Sequence, residues 1–425
     1  SAYMFVTSPL GAKLEQQIFE EGEGGRRGFS TNNNINRNWD GVWYVSTQQL
    51  PDGWIAEIAI PMVTVRFPDS ERQDWGINFM RNIRRKNEQV FWAPIPKAYT
   101  LTRVSLAGSL TDLESLNRGL DLRIKPFVLG GGRRVSNSGV QDNSTQEDFG
   151  VDVKYGVTAG MNLDLTVNTD FAQAEIDDEQ INLTRFPLFF PEKREFFLEN
   201  AGQFNVGTST STFRVADLFF SRRIGLDEGE QVPILGGVRV SGKAAGLNVG
   251  FLDMQTEDLG DRSANNFAVG RLSREFGNRG KAGVIVLNRQ GTGSLATDDD
   301  YNRTFGIDGQ IGVGRFADIS GFVARTSTPG LEGRDHAFAI EGRQESPKWR
   351  NQASYSEVGA DFNPEVGFVN RTNYRRLRAA LGRRIRPTGT RIQEWGPRMF
   401  FDEYRDFTGF RETGFRSVGG DVEMR

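Results

Sequence analysis

Residues 157–171 read VTAGMNLDLTVNTDF. Val157, Ala159, Met161, Leu163, Leu165 and Val167 alternate with Thr158, Gly160, Asn162, Asp164, Thr166 and Asn168 without interruption. A period of two is that of a β-strand, whose successive side chains point to opposite faces. The dyad recurs in LDLRIKPFV (120–128), FGVDVKY (149–155), GLNVGFL (246–252), FGIDGQIGV (305–313) and ADISGFVA (317–324). Such segments, joined by Gly, Asn, Asp and Ser, meet the requirement of a membrane β-barrel, with the apolar face toward lipid and the polar face toward the lumen. A soluble sandwich gives the same alternation with the faces reversed in meaning. Three features favour the barrel: mid-strand charges such as Arg123, Asp164 and Asp308, a strand pattern running without helical interruption from Leu120 onward, and 50 glycines. About 14 strands are expected.

Composition narrows the field. The 425 residues hold 52 basic and 55 acidic side chains, a balance that argues against a nucleic-acid partner. The absence of cysteine excludes disulfides and thiolate metal sites, and a single histidine, His336, leaves little for a zinc site or a Ser-His-Asp triad. No apolar run reaches the roughly 20 residues of a transmembrane helix. The first residues, SAYMFVTSPLG, and those from Gly414 to Arg425 read as strand interiors, which predicts that the sequence begins and ends inside domains.

Residues 1–115 differ from the rest in carrying Trp39, Trp43, Trp54, Trp75 and Trp92. Short strand patterns, VWYVSTQQL, WIAEIAIP and WGINFMRNIRR, are separated by turns such as Pro51-Asp52-Gly53, and they predict a small β-sandwich. Trp54 to Ile60 suits a strand buried on one face and partly on the other, and LTDLESLNRG (110–119) a linker with a short helix.

One stretch breaks the strand series. FPLFFPEKREFFLEN (186–200) sets five phenylalanines around Glu192, Lys193, Arg194 and Glu195. Pro191 fits a first helical turn, Glu192 its positive end, and Asn200-Ala201-Gly202 a stop, so a helix over about 191–200 is expected. One reading makes it a loop helix capping the barrel end. The sharper one folds 172–212 into the lumen as a plug, with Phe189, Phe190, Phe196 and Phe197 as its core and the four charged side chains meeting polar lumen residues.

These residues also carry a resemblance. NTDFAQAEIDDEQINLTRFPLFFPEKREFFLENAGQF, LFFSRRIG (218–225) and DFNPEVGFVNR (361–371) resemble a bacterial outer-membrane family, as do NWDGVW (38–43), GWIAEIAIP (53–61) and WGINFMRNIRRKNE (75–88). Members join a domain similar to carbohydrate-binding module family 9 to a C-terminal barrel domain of unknown function, number 5916. The resemblance implies an all-β protein: a partial, N-terminally truncated β-sandwich over 1–115, then a transmembrane antiparallel β-barrel over 120–425. It also implies an outer-membrane location and carbohydrate binding, and barrel topology adds that an N-terminal domain normally stays in the periplasm, with binding or admission of glycans as the expected work. Family members are expected to begin with a signal peptide and a fuller binding module and to finish the barrel, so the resemblance implies truncation at the N-terminus and, at the C-terminus, a barrel that continues beyond this sequence.

Sugar recognition needs aromatic faces beside hydrogen-bonding groups. Trp39, Asp40, Trp43, Arg81, Arg84 and Trp92 are the candidate glycan-binding residues, although tryptophans in a small sandwich are more often core. Expected partners are lipid, an oligo- or polysaccharide, or another surface protein for which the barrel acts as anchor. Glycoside hydrolysis needs two carboxylates at a set spacing across a cleft, and no pair stands out, so no catalytic residue is assigned. No cofactor is expected, the acidic runs Asp177-Asp178-Glu179 and Asp298 to Asp300 being at most weak calcium ligands. GGGRR (130–134) lacks the lysine of a phosphate loop and reads as a barrel turn. YRRLRAALGRRIR (374–386) reads as a strand with Arg376 and Arg378 toward the lumen, giving an anion preference.

Overall fold

The computed structural model describes the chain except residues 1, 19–34, 38, 40, 68–69, 97–98, 118, 120, 138–139, 159, 169–180, 184, 208–214, 228–229, 278, 390 and 425. The described residues are almost entirely strand and connection, and none of their helices is long and apolar enough to cross a membrane. The protein is of the all-β class.

Among the described residues, the N-terminal part carries nine short strands: β1 (Ala2–Thr7), β2 (Lys13–Ile18), β3 (Ile35–Asn36), β4 (Tyr44–Leu50), β5 (Gly53–Ala59), β6 (Arg72–Ile77), β7 (Met80–Ile83), β8 (Glu88–Phe91) and β9 (Gly108–Glu114). β1, β2 and β3 form one sheet, while β4–β5, β6–β9 and β7–β8 form two-stranded ribbons. The buried strand expected at Trp54 to Ile60 is instead half of an open ribbon, with Ile55 and Ile58 exposed. The helix expected within 110–119 is also corrected. Residues 110–114 instead belong to β9 and pair with β6 across a register shift near Gln73 and Trp75, with Asp112 at φ 62. Cross-strand pairing there overrides a sequence that resembles a helix cap.

Everything after Asp121 is organised by one antiparallel sheet. Its first three strands are β10 (Leu122–Asn137), β11 (Val140–Gly156) and β12 (Met161–Val167). A small ribbon, β13 (Leu226–Asp227) with β14 (Glu230–Gln231), lies in the insertion that follows. The sheet resumes with β15 (Ile234–Ala244), β16 (Leu247–Thr256), β17 (Asn265–Phe276), β18 (Gly280–Gly291), β19 (Tyr301–Val313) and β20 (Ala317–Ser327). It ends with β21 (His336–Glu345), β22 (Trp349–Val358), β23 (Tyr374–Arg383), β24 (Ile392–Arg405) and β25 (Arg411–Met424). These are 14 strands, each paired with its sequence neighbour, and β10 and β25 stand at the two edges. GGGRR is not a turn: Gly130 pairs with Glu147 and Arg134 with Asn143 inside the β10–β11 hairpin. Three glycines erase the alternation that would have revealed a strand.

Residues directly opposite across a ladder share a face, so register shows what each face contains. One row runs Asn162, Ser241, Gly250, Arg271, Ile285, Gly306 and Ala324 from β12 to β20. Its polar members are buried, as are Asp164, Thr166, Arg239, Ser273, Asn302, Thr304 and Asp308 on the same face. The opposite face is apolar and exposed: Leu272, Val284, Ile307, Val323 and Phe338 form one row across β17 to β21. Along β19, Ile307 is 45% exposed and its neighbour Asp308 6%. The sheet therefore hides its polar side and shows its apolar side.

The two ends of the sheet also differ. One carries the connections 157–160, 245–246, 277–279, 314–316, 346–348 and the longer 384–391, the other the short 138–139 and 406–410 with the longer 257–264, 292–300, 328–335 and 359–373. The N-terminal part meets the short-connection end, where the Tyr99 hydroxyl donates to the carbonyl of Glu345 at 2.9 Å and Phe67 lies beside Gly160.

Candidate functional site

The insertion between β12 and β15 leaves and rejoins the sheet at the long-connection end, because Val167 pairs with Gly236 there. Its described residues cover the buried face from β12 to β23. Phe196, Phe197, Phe204, Leu218 and Ile224 join one apolar core with Leu252, Met254, Phe267, Ile285, Ala324, Val358 and Tyr374 of the strands. The packing extends past residue 212, the expected limit, as far as Val232 and Ile234.

Within FPLFFPEKREFFLEN the helix is shorter than the sequence implies, Glu195–Leu198, followed by a 3-10 turn at Ala201–Phe204. Glu192 is the reason: its Oε1 accepts the backbone N–H groups of Lys193 and Arg194 at 3.0 Å each and Arg194 Nε at 2.9 Å, which holds 191–194 out of the helix. Arg194 is buried and also donates to the carbonyls of Ile224 at 2.7 Å and Ser221 at 2.8 Å, while the Ser221 hydroxyl donates to Glu192 Oε2 at 2.7 Å. Burial raises the Glu192 pKa, but the Arg194 charge and the hydrogen bonds from Arg194 and Ser221 outweigh it, so the carboxyl titrates below its ordinary 4.5. Glu192 and Arg194 were expected to meet the polar face of the sheet. They bind each other and the insertion's own backbone, because a buried pair needs its remaining sites filled at close range.

The phenylalanines divide between the two ends. Phe189 stacks on Phe220 at 5.1 Å and meets Phe368 edge-on at 5.2 Å. Phe190 lies under Arg222, whose Nη1 reaches the Pro191 carbonyl at 3.2 Å. Residues 217–220 are tied to the 359–373 connection, since Asp217 pairs with Phe368 and Phe220 N–H donates to Val366 O at 2.8 Å. Phe196 and Phe197 lie deeper, packed edge to face at 5.2 Å, with the Arg239 guanidinium over the first ring and Arg194 over the second. Arg239 pairs with Asp164 at 3.0 Å and binds the carbonyl of Phe196. Lys193 is partly buried; the side chain of Glu195 lies outside the described set.

The tip, Leu198–Asn200, reaches the opposite end. Glu199 binds Lys154 of β11 and, at 3.1 Å, Arg66 of the N-terminal part. Burial raises its pKa, while Lys154, Arg66 and Arg239 together pull it from 4.5 down to about 2. Asn200 Nδ2 donates to Ser241 Oγ at 3.1 Å, and its Oδ1 accepts from Gln17 at 3.4 Å. Asn36 Nδ2 reaches the carbonyl of Leu198 at 3.2 Å. Sequence reasoning missed Glu199, Lys154 and Arg66. Its available signal was a charge, Lys154, on the polar side of FGVDVKY that required a partner.

A cavity remains beside the insertion, between Val206, Ala216 and Phe219 and the inner face of β20 to β23, where Ser320, Glu341 and Ser356 lie. Arg376 and Arg378 also line it, on the polar face as expected, but Asp402 holds Arg376 through two bonds of 2.8 and 2.5 Å and offsets its charge. His336 begins β21 and contacts Glu357 at 2.9 Å.

The glycan candidates are not brought together. Trp43 is 1% exposed, donates to Glu15 at 2.9 Å and packs on Phe5, so its ring is core and offers no face to a sugar. Trp39 joins the same cluster through Tyr3 and Phe5. Trp92 is 60% exposed, meets Phe79 edge-on and adjoins the β7–β8 hairpin, whose Arg81 and the following Arg84 are also exposed. Asp40 lies outside the described residues, as do Asp177, Asp178 and Glu179. Asp300 is held by Arg289, and no group of three metal-ligating side chains is present among the described residues.

No curated protein matches the chain. Residues 120–276, from the start of the sheet through β17 and including the whole insertion, match the family model described as Domain of unknown function (DUF5916), so the chain contains a DUF5916 domain over that stretch.

Proposed function

We propose that the chain is an outer-membrane β-barrel protein whose 14-stranded sheet, with its edges at β10 and β25, wraps in lipid around the described residues of 186–224 as a plug. The observation that carries this reading is the inverted sheet, with apolar side chains exposed along β17 to β21 and ionic and hydroxyl side chains buried behind them. In water that arrangement would leave a continuous apolar surface exposed, whereas in a bilayer it is the favoured one. Mostly short connections at one end and mostly longer ones at the other suit periplasmic and extracellular sides, with the N-terminal part in the periplasm. The work of such a protein is controlled admission of a solute. The N-terminal resemblance to a carbohydrate-binding module makes glycans the leading ligand class.

Single-channel conductance across planar bilayers tests the plug. The full chain is expected to stay closed, and a variant lacking 186–200 to conduct. A deletion variant that inserts and keeps its β-sheet circular dichroism yet stays silent would overturn the plug and favour a barrel that anchors another surface protein. Glycan recognition rests on Trp92, the exposed ring that follows the β7–β8 hairpin carrying Arg81 and Arg84. Trp92→Ala should abolish retention on immobilised polysaccharide and Trp43→Ala should reduce it only by unfolding; undiminished retention of folded Trp92→Ala would remove this face from the site.

A further inference from the structure

The tip of the insertion touches the N-terminal part as well as the sheet. Glu199 is bound by Lys154 from the sheet and by Arg66 from the N-terminal part. Asn200 repeats the arrangement one residue on, with Ser241 on the sheet side and Gln17 on the other, and both Asn200 and Gln17 are buried. These contacts lie at the far end of the insertion from its two points of attachment. A segment needing only to fill space could be held there by the sheet alone, as Ser241 and Lys154 already do.

We propose that the N-terminal part is the control element of the plug, clamping Leu198–Asn200 through Arg66 and Gln17. The inference deepens the plug reading and rests on it. β2 supplies the mechanical link. Gln17 occupies the strand whose Glu15 accepts the Trp43 indole N–H and whose Lys13 donates to the Trp43 carbonyl at 2.8 Å. Gln17 is thus anchored, through β2, to the buried Trp43 core that also holds Phe5 and Trp39.

The experiment measures conductance of the full chain carrying Arg66→Ala with Gln17→Ala, beside Arg66→Lys with Gln17 intact. Loss of a charge-assisted bond and a neutral one should raise the frequency of openings roughly tenfold or more, with Arg66→Lys close to the parent. Glu199→Gln gives a second route to the same increase if the double variant inserts poorly. Double-variant and Glu199→Gln channels as silent as the parent, while the variant lacking 186–200 conducts, would overturn the clamp and leave the plug standing. Silence of that deletion variant in folded form would remove the plug, and the clamp with it.

Discussion

Glu199 is where three parts of the chain share one charge, and its titration should be visible. The groups facing it are Lys154 on β11, Arg66 in the N-terminal part, Arg239 on β15 and Asp164 on β12. A carboxyl lowered from 4.5 to about 2 stabilises the folded junction fully above pH 4.5, and that contribution is lost as pH falls toward 2. Proteolysis at the insertion should therefore accelerate between pH 4.5 and 2, using an acid-tolerant protease. In Glu199→Gln that step should be missing; a step of equal size in the variant would place the titrating group elsewhere. Arg271 and Asp308 form a second buried pair, 2.6 Å apart across β18. It needs Gly283 between them, where a Cβ would stand 2.6 Å from the guanidinium. Removing either partner of such a pair costs about 3–5 kcal/mol in typical cases.

The strands were the most legible elements. VTAGMNLDLTVNTDF gives β12 with Asn162, Asp164 and Thr166 on the buried side, and alternation alone left open only which face that would be. Elements whose side chains carry no period were misread: the glycines of 130–132 hid the middle of a long hairpin, and 110–119 mimicked a helix. The insertion could be recognised as an interruption, but its partners lie far away in sequence, Asn36 from Leu198 and Lys154 from Glu199, and no local pattern encodes them. Facing makes a prediction at this scale. Ile307→Arg, on the exposed side of β19, should weaken folding into phospholipid vesicles by about 2–4 kcal/mol if that position sits near the bilayer midplane. Measured by urea titration of vesicle-inserted protein, the same folding free energy as the parent would remove lipid from that face.

For the molecule as a whole, strand order follows chain order throughout the sheet, so one buried row runs from β12 to β20 and one exposed apolar row from β17 to β21. Much of this architecture was readable because a sheet of sequence neighbours needs little beyond period and turn chemistry to specify it. The docking of the N-terminal part was not readable, since it depends on single polar contacts such as Tyr99 to Glu345. The insertion doubles back, secured at Val167 and Ile234 on one rim while its tip rests 3.1 Å from Arg66 at the other. A doubled cord fixed at one rim has a direction of travel. Pulled from the N-terminal side it draws taut, and only a push from that side can slacken it, so the proposed plug would yield toward the long loops and stay leashed when it did.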